Sequence, residues 1–277
     1  MFKKSKRKTI TLIVLIVIIV VAIFAFDSRL KIQNYDIESD NITENIRIAL
    51  ITDLHSCKYG KDEIKLIEAI DSQKPDIILL GGDICDDVIP NDNTEALLKG
   101  ITDKYPCYYV TGNHEYWSND VDAILKLFES YNVTILNGNY VTTDIKGQKI
   151  NICGISDPDV SNNDADIVVT EQLEMIKNAG ENGNYTILLT HRPEYIDLYS
   201  KYDFDLVLAG HAHGGQFRIP FILNGLYAPN QGLFPEYAGG EYLKNNTKMI
   251  VSRGLAREST RVPRIFNRPE LVIIELT

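Results

Sequence analysis

The residues with chemistry to offer gather in five short segments. Gly112-Asn113-His114-Glu115 sets a glycine that permits a sharp turn beside an amide oxygen that can ligate a hard metal and a histidine that can pass a proton. Asp53-Leu54-His55, Gly82-Asp83, His191 and Gly210-His211-Ala212-His213 share its layout, each following an apolar run. All five histidines of the chain fall in these segments. Asp53 and His55 stand two apart, so a turn out of a strand can aim both at one ion. Asp83 can bridge, because each carboxylate oxygen can hold a different cation. Asn113 adds a neutral oxygen, and His191, His211 and His213 add imidazole nitrogen, a mixed set that suits two Mn, Fe or Zn ions better than Ca. Two divalent ions about 3.5–4 Å apart would clamp a phosphoryl group and lower the pKa of a shared water toward neutrality.

Each segment alone carries less weight. An isolated Asp-x-His or histidine in an α/β domain is more often a surface or capping residue, and Gly-Asn also marks ordinary turns. Two histidines between glycines at 210–215 serve no packing purpose, however, and five such segments in order outweigh an incidental origin.

Elements alternate around these segments. Residues 46–52, 76–80 and 107–110 read as buried strands, with helices at 61–72, 94–104 and 120–131. A strand pair at 140–144 and 149–155 is joined at Ile145-Lys146-Gly147-Gln148 as a hairpin. A helix at 170–179, a strand at 185–189, a helix at 193–200 and strands at 206–209, 249–252 and 271–275 complete the pattern. Buried strands alternating with helices imply α/β layers, and the strand-rich later part implies a second sheet packed on the first. Ligands in such folds gather at the carboxyl ends of strands, where every candidate residue here lies.

At 277 residues and 44% hydrophobic, the chain can bury one sizeable core. Residues 1–31 carry seven basic side chains and one acid, a balance of +6 against −10 for the whole chain, which leaves −16 on residues 32–277. An acidic body repels nucleic acid and suits a cation-collecting cluster. Cys57, Cys85, Cys107 and Cys153 show neither CxxC spacing nor disulfide-scaffold density and read as unpaired.

Residues 10–26 are apolar except for Thr11, long enough to span a bilayer, and follow a basic tail at 1–9. The positive-inside rule keeps that tail in the cytoplasm and puts the rest outside, so the expected location is the cell membrane, single-pass, with the catalytic domain extracytoplasmic. A cleaved signal peptide is the competing reading, against which Ile23-Phe24-Ala25 is a poor cleavage site. Residues 27–45 read as a polar linker or stalk that opens with an edge strand, and 46–277 as the domain. The long segment from Gln216 to Lys244 shows no clear regular structure. Its aromatics would either shape an apolar groove for a lipid-linked substrate or pack as a covering loop.

With these motifs in order, the chain resembles the calcineurin-like metallophosphoesterases over residues 46–277. The resemblance implies a two-sheet β-sandwich flanked by helices, here behind a single N-terminal transmembrane helix. It implies that Asp53, His55, Asp83 and His213 hold one metal ion and Asp83, Asn113, His191 and His211 the other. His114 would be the non-ligand histidine that protonates the leaving oxygen or contacts the phosphoryl group. Gly214-Gly215-Gln216, Gly225-Leu226-Tyr227, Ser252-Arg253-Gly254-Leu255 and Asn267-Arg268-Pro269-Glu270 resemble the bacterial membrane-associated branch, which includes phosphodiesterases and UDP-diacylglucosamine pyrophosphatases. Protein phosphatases of the superfamily carry an arginine where this chain reads Asp83-Ile84-Cys85-Asp86-Asp87-Val88, which weakens that reading. Arg253 could grip a phosphate or form a structural pair.

The expected activity is hydrolysis of a phosphodiester or pyrophosphate bond in a phosphorylated small molecule or a lipid-linked substrate. A cell-envelope phosphomonoesterase is the near alternative, and a non-catalytic metal-binding interaction module the distant one.

Overall fold

A computed structural model describes residues 2–257 and 263–277. Met1, the side chains of residues 2–6 (with Lys3, Lys4 and Lys6 of the basic tail) and residues 258–262 lie outside the described residues. Helix α1 (Phe2–Ala25) comes first, and its stretch Arg7–Ala25 is long and apolar enough, by length and composition, to cross a membrane. The large apolar side chains from Ile10 to Phe24 are exposed.

One six-stranded sheet runs in the order β1 (Lys31–Ile37), β14 (Glu270–Leu276), β2 (Ile46–Ile51), β3 (Ile77–Gly81), β4 (Cys107–Val110), β5 (Thr134–Ile135). The strands from β2 to β5 are parallel, β14 is antiparallel to β2, and β1 lies parallel on the outside of β14. The second six-stranded sheet runs β12 (Gly240–Lys244), β13 (Thr247–Val251), β9 (Leu206–Ala209), β8 (Tyr185–Leu189), β7 (Gln148–Gly154), β6 (Asn139–Ile145). Its four central strands are parallel and its two edges antiparallel. A small ladder pairs β10 (Tyr227–Ala228) with β11 (Gly232–Leu233).

Period-two alternation sorts the side chains into layers. In β2, Ile48 and Leu50 join Leu79, Ile152, Ile187 and Leu208 between the sheets, whereas Ala49 and Ile51 face outward. That outer face is covered by α2 (Ile64–Gln73), α3 (Asp92–Ile101) and α5 (Val121–Ser130), the last of which follows the short α4 (Asn113–Trp117). The far face of the second sheet packs against α6 (Ala165–Ile176) and α7 (Ile196–Tyr199). The result is a helix–sheet–sheet–helix sandwich, as expected, with the parallel strands of both sheets ending at one rim.

Several elements differ from expectation. Residues 27–45 are not simply a stalk: β1 pairs along its full length with β14, and Ile37 is buried between the sheets. An edge strand with one solvated face, read from Lys31-Ile32-Gln33-Asn34, shows too little apolar periodicity to stand out. Gln216–Lys244 holds β10, β11 and β12, and β12 forms a hairpin with β13 around Asn245-Asn246. The helix expected at 170–179 begins at Ala165, where the Asp164 side chain accepts the Asp166 N–H and caps it. The 61–72 helix is broken, since Asp62 and Glu63 adopt positive φ before α2 starts. The Lys146-Gly147 turn has both residues at positive φ (55° and 85°), as a two-residue hairpin of this hand requires.

If β1 belongs to the core, Ile37→Ala should lower stability to unfolding by about 2–5 kcal/mol in chemical denaturation. A loss below about 0.5 kcal/mol would mean that this strand is only a tether.

Candidate metal centre

Five of the seven candidate ligands sit on sharp turns past a strand end. Asp53 (φ 49°), His55 (φ 49°), Asp83 (φ 51°), His211 (φ 64°) and His213 (φ 47°) all occupy the left-handed region that side chains other than glycine avoid. Such strain persists only where the surroundings over-determine it. Here the ladders of both sheets hold each strand end, and the turn swings its side chain inward. Close approach then demands glycine nearby. At Gly254 (φ 70°), a Cβ would lie 2.5 Å from the Asp53 Cβ, and at Gly112 a Cβ would run into Asp83 Oδ1.

The structure brings Asp53, His55, Asp83 and His213 into one buried cluster and Asp83, His191 and His211 into another, with Asp83 common to both. Asp83 Oδ2 lies 3.1 Å from His191 Nε2 and 3.6 Å from His55 Nε2. His213 Nε2 is 3.7 Å from Asp53 Oδ1. Asn113 opens α4 in the same buried region, and its Oδ1 has no hydrogen-bond partner. His55 Nε2 is likewise without one. Buried polar atoms are almost always paired, so these two orphans of ligand type fit a centre that holds cations.

The imidazoles are oriented from behind. His191 Nδ1–H donates to the Gly81 carbonyl (2.9 Å), His55 Nδ1–H to Asp86 Oδ2 (3.1 Å) and His211 Nε2–H to Asn230 Oδ1 (2.9 Å). Each bond leaves the opposite nitrogen's lone pair for the centre. The donor set also demands positive charge. Burial alone would lower the pKa of His191, but the Asp83 carboxylate against it outweighs this and lifts it to about 10. Burial likewise opposes the charge on Asp83, yet His191 and His55 hold it well below the usual carboxylate range. Burial, reinforced by neighbouring cationic groups, drives His211 and His213 well down. The shared carboxylate thus draws positive charge onto His191 and His55 while His211 and His213 stay neutral, and a divalent ion that displaced those protons would meet the same demand.

Glu115, the last residue of the Gly-Asn-His-Glu segment, is a buried clamp. Its carboxylate accepts the N–H groups of Asp83 (3.0 Å), Ile84 (2.8 Å), Cys85 (3.0 Å) and Gly112 (2.8 Å), tying the loop after β3 to the start of α4. Burial, then the charge of Asp83, pushes its pKa up to about 7. Arg192, which follows His191, is gripped by Asp157 through two bonds of 2.6 and 2.8 Å. Neither role was visible in spacing. Nor were those of Asp86 and Asp87, where only the missing arginine drew notice.

His114 stands apart at the rim, its side chain 21% exposed. Its Nδ1 lies 2.7 Å from Asp87 Oδ1, and its ring meets that of His55 edge-on at 4.3 Å. Its N–H donates to Asp83 Oδ1 (2.9 Å), so the backbone that carries it also fixes the shared carboxylate. Arg253 pairs with the buried Glu270 (Nη1–Oε2 3.7 Å), which accounts for it structurally, although its Nε has no bond. The four cysteines are buried and form no disulfide among the described residues.

Residues 46–215 match the family model described as calcineurin-like phosphoesterase. An uncharacterized metallophosphoesterase of Campylobacter jejuni is 32% identical over 252 residues, covering 89% of this chain and 63% of that protein. A bovine transmembrane protein with a metallophosphoesterase domain is 29% identical over 228 residues, covering 76% of this chain and 49% of its own length. The chain thus spans from about half to just under two thirds of the length of these relatives. Among solved structures, the Haemophilus influenzae NAD nucleotidase superposes with a TM-score of 0.52 at 17% identity, covering 77% of this chain and 46% of that one, which supports the fold alone.

Removing the clamp tests its role. Glu115→Ala leaves four buried amides without an acceptor and should lower stability by at least about 3 kcal/mol. Elemental analysis should show metal content falling with it. A loss below about 1 kcal/mol with full metal content would show that the loops do not need the carboxylate.

Proposed function

Because the chain belongs to the calcineurin-like phosphoesterase family, we propose that it is a membrane-anchored, two-metal phosphoesterase that hydrolyses a phosphodiester or pyrophosphate bond outside the cytoplasm. The observation that carries this reading is the sharing of Asp83 by two fully buried clusters; His114 belongs to neither and groups instead with His55 and Asp86 at the rim. One ion would be held by Asp53, His55, Asp83 and His213, and the other by Asp83, Asn113, His191 and His211. Bound there, Mn, Zn or Fe would supply positive charge for the phosphoryl oxygens and acidify a water.

The chain's own residues supply the rest. His114 is the proton donor to the leaving oxygen, being exposed enough to reach substrate. Asp87 orients it through Nδ1, which leaves Nε2 directed away from the carboxylate. Asp87 also bears on the choice of ester. A carboxylate at the rim disfavours the dianion of a monoester more than the monoanion of a diester. In protein phosphatases an arginine would stand in this region of the sequence.

The path of the chain supports a substrate at the membrane. Lys31 N–H bonds the Pro269 carbonyl (2.9 Å), Glu270 N–H bonds Gly254 (3.1 Å), and Leu255 N–H bonds Asp53 (3.2 Å), so α1 joins the domain at the rim that carries the centre. The bovine relative's name includes a transmembrane protein. A lipid-linked phosphate or pyrophosphate, as in the UDP-diacylglucosamine pyrophosphatase branch, fits this placement.

Chelator-stripped full-length protein in detergent, given Mn, Zn or Mg, should regain turnover of bis-p-nitrophenyl phosphate above that of p-nitrophenyl phosphate. His114→Gln should lose about 10²–10⁴-fold in kcat while keeping its metals. Turnover of the monoester alone would transfer the assignment to a phosphomonoesterase. Two bound metals with no turnover of either ester would favour the non-catalytic module.

A further inference from the structure

Beyond α1, the segment that follows His213 carries a group of large apolar side chains left in solvent. Phe221 is fully exposed, Ile222 82%, Leu233 67% and Phe234 66%. The first two sit at the tip of a tight turn. The Ile219 carbonyl accepts the N–H groups of Ile222 (3.0 Å) and Leu223 (2.8 Å), Pro220 occupies the second position, and Phe221 the third at φ 68°. That third position calls for glycine. A phenylalanine held there is strained and packs against nothing in the fold, so its side chain is placed for something outside it.

The root of the turn lies against the end of α1. Arg218 N–H donates to the Ile265 carbonyl (3.0 Å), and the next residue, Phe266, donates its N–H to the Ala25 carbonyl at the last turn of the helix (2.7 Å). Around this junction, among the described residues, stand Arg218, Arg268, Arg29, Lys31 and Arg253 with two acids, the buried Glu270 and Asp27, which bonds Arg29 (2.8 Å) and faces Arg268 (3.4 Å). Excess positive charge beside exposed aromatic and aliphatic side chains suits an interface of anionic headgroups over acyl chains. On its other side the same segment reaches the metal centre through Asn230 and His211.

We propose that the Ile219–Leu223 turn is a second membrane contact, with Phe221 and Ile222 entering the bilayer interface that α1 crosses. This rests on the reading of α1 as a retained anchor. Two attachment points would stop the domain from pivoting on its helix and hold the Asn230 rim of the centre against the headgroups. The substrate class follows as a phosphate ester or anhydride displayed at the membrane surface, reached without leaving it.

The test uses the full chain in phosphatidylcholine–phosphatidylglycerol vesicles, with a single environment-sensitive fluorophore attached through Ile222→Cys. Phe24→Cys reports on the anchor, and Glu181→Cys, before β8 at the opposite end of the strands, serves as the water-exposed reference. The native cysteines are buried, and thermal unfolding checks each variant. With spin-labelled lipid present, positions 222 and 24 should be quenched and 181 should not. Phe221→Gly should raise the unfolding midpoint by relieving the turn while reducing quenching at 222, a pair of effects that a purely structural phenylalanine would not produce. Quenching at 24 with 222 as bright as 181 would overturn the second contact and leave the anchor standing. A blue-shifted but unquenched 222 would also overturn it, assigning the turn to a protein partner. Absence of quenching at both 24 and 222 would remove the anchor reading and this proposal together.

Discussion

A carboxylate buried among imidazoles is tolerable only if its oxygens find charge or hydrogen bonds, and Asp83 sets that requirement for the whole centre. One oxygen accepts the amide of His114, and the other faces His55 and His191. To hold it there, the loop after β3 must turn through positive φ and be fixed from behind. Glu115 does the fixing with a second buried carboxylate whose oxygens are occupied by four amides. The two acids therefore divide the labour: Glu115 is satisfied by backbone donors, while Asp83 is left for cations.

The strain at five ligand positions is the counterpart of this arrangement. Left-handed backbone at Asp53, His55, Asp83, His211 and His213 opposes folding, and it is stable because two parallel-strand ladders and the apolar layer between them fix where each strand stops. The rigid layers position the strand ends, and the turns aim the side chains. Bonds at the far nitrogen of His55, His191 and His211 then set which lone pair each ring presents.

The edge of the first sheet connects this chemistry to α1. With β1 laid on β14, the helix meets the domain at the carboxyl ends of the strands rather than at the opposite end. A phosphoesterase tethered in this way would face the surface to which it is held. The exposed turn at Phe221 lies on the same side, and Asn230 ties that segment back to His211. Charge agrees with the proposed chemistry, since an acidic body repels soluble polyanions, while a basic junction beside α1 would tolerate anionic lipid nearby.

Residue identity and spacing by themselves determined the α/β layering, the family resemblance and the candidate residues for the centre. Ligand atoms are intrinsic to side-chain type, and buried strands carry a period that survives without tertiary context. Asp53, His55, Asp83, Asn113, His191 and His211-Ala212-His213 could therefore be named before any fold was known. Roles that depend on contact between segments distant in the chain were another matter. Glu115 reads as one more surface acid until the Asp83 loop is seen wrapped on it, and Asp87 as a missing arginine until it meets His114. Residues 31–37 read as a stalk opening with an edge strand until β14 is found pairing along them. A hydrogen bond, a shared carboxylate oxygen and a parallel ladder each need a second partner whose position is set by packing, and that position is what only the tertiary structure decided.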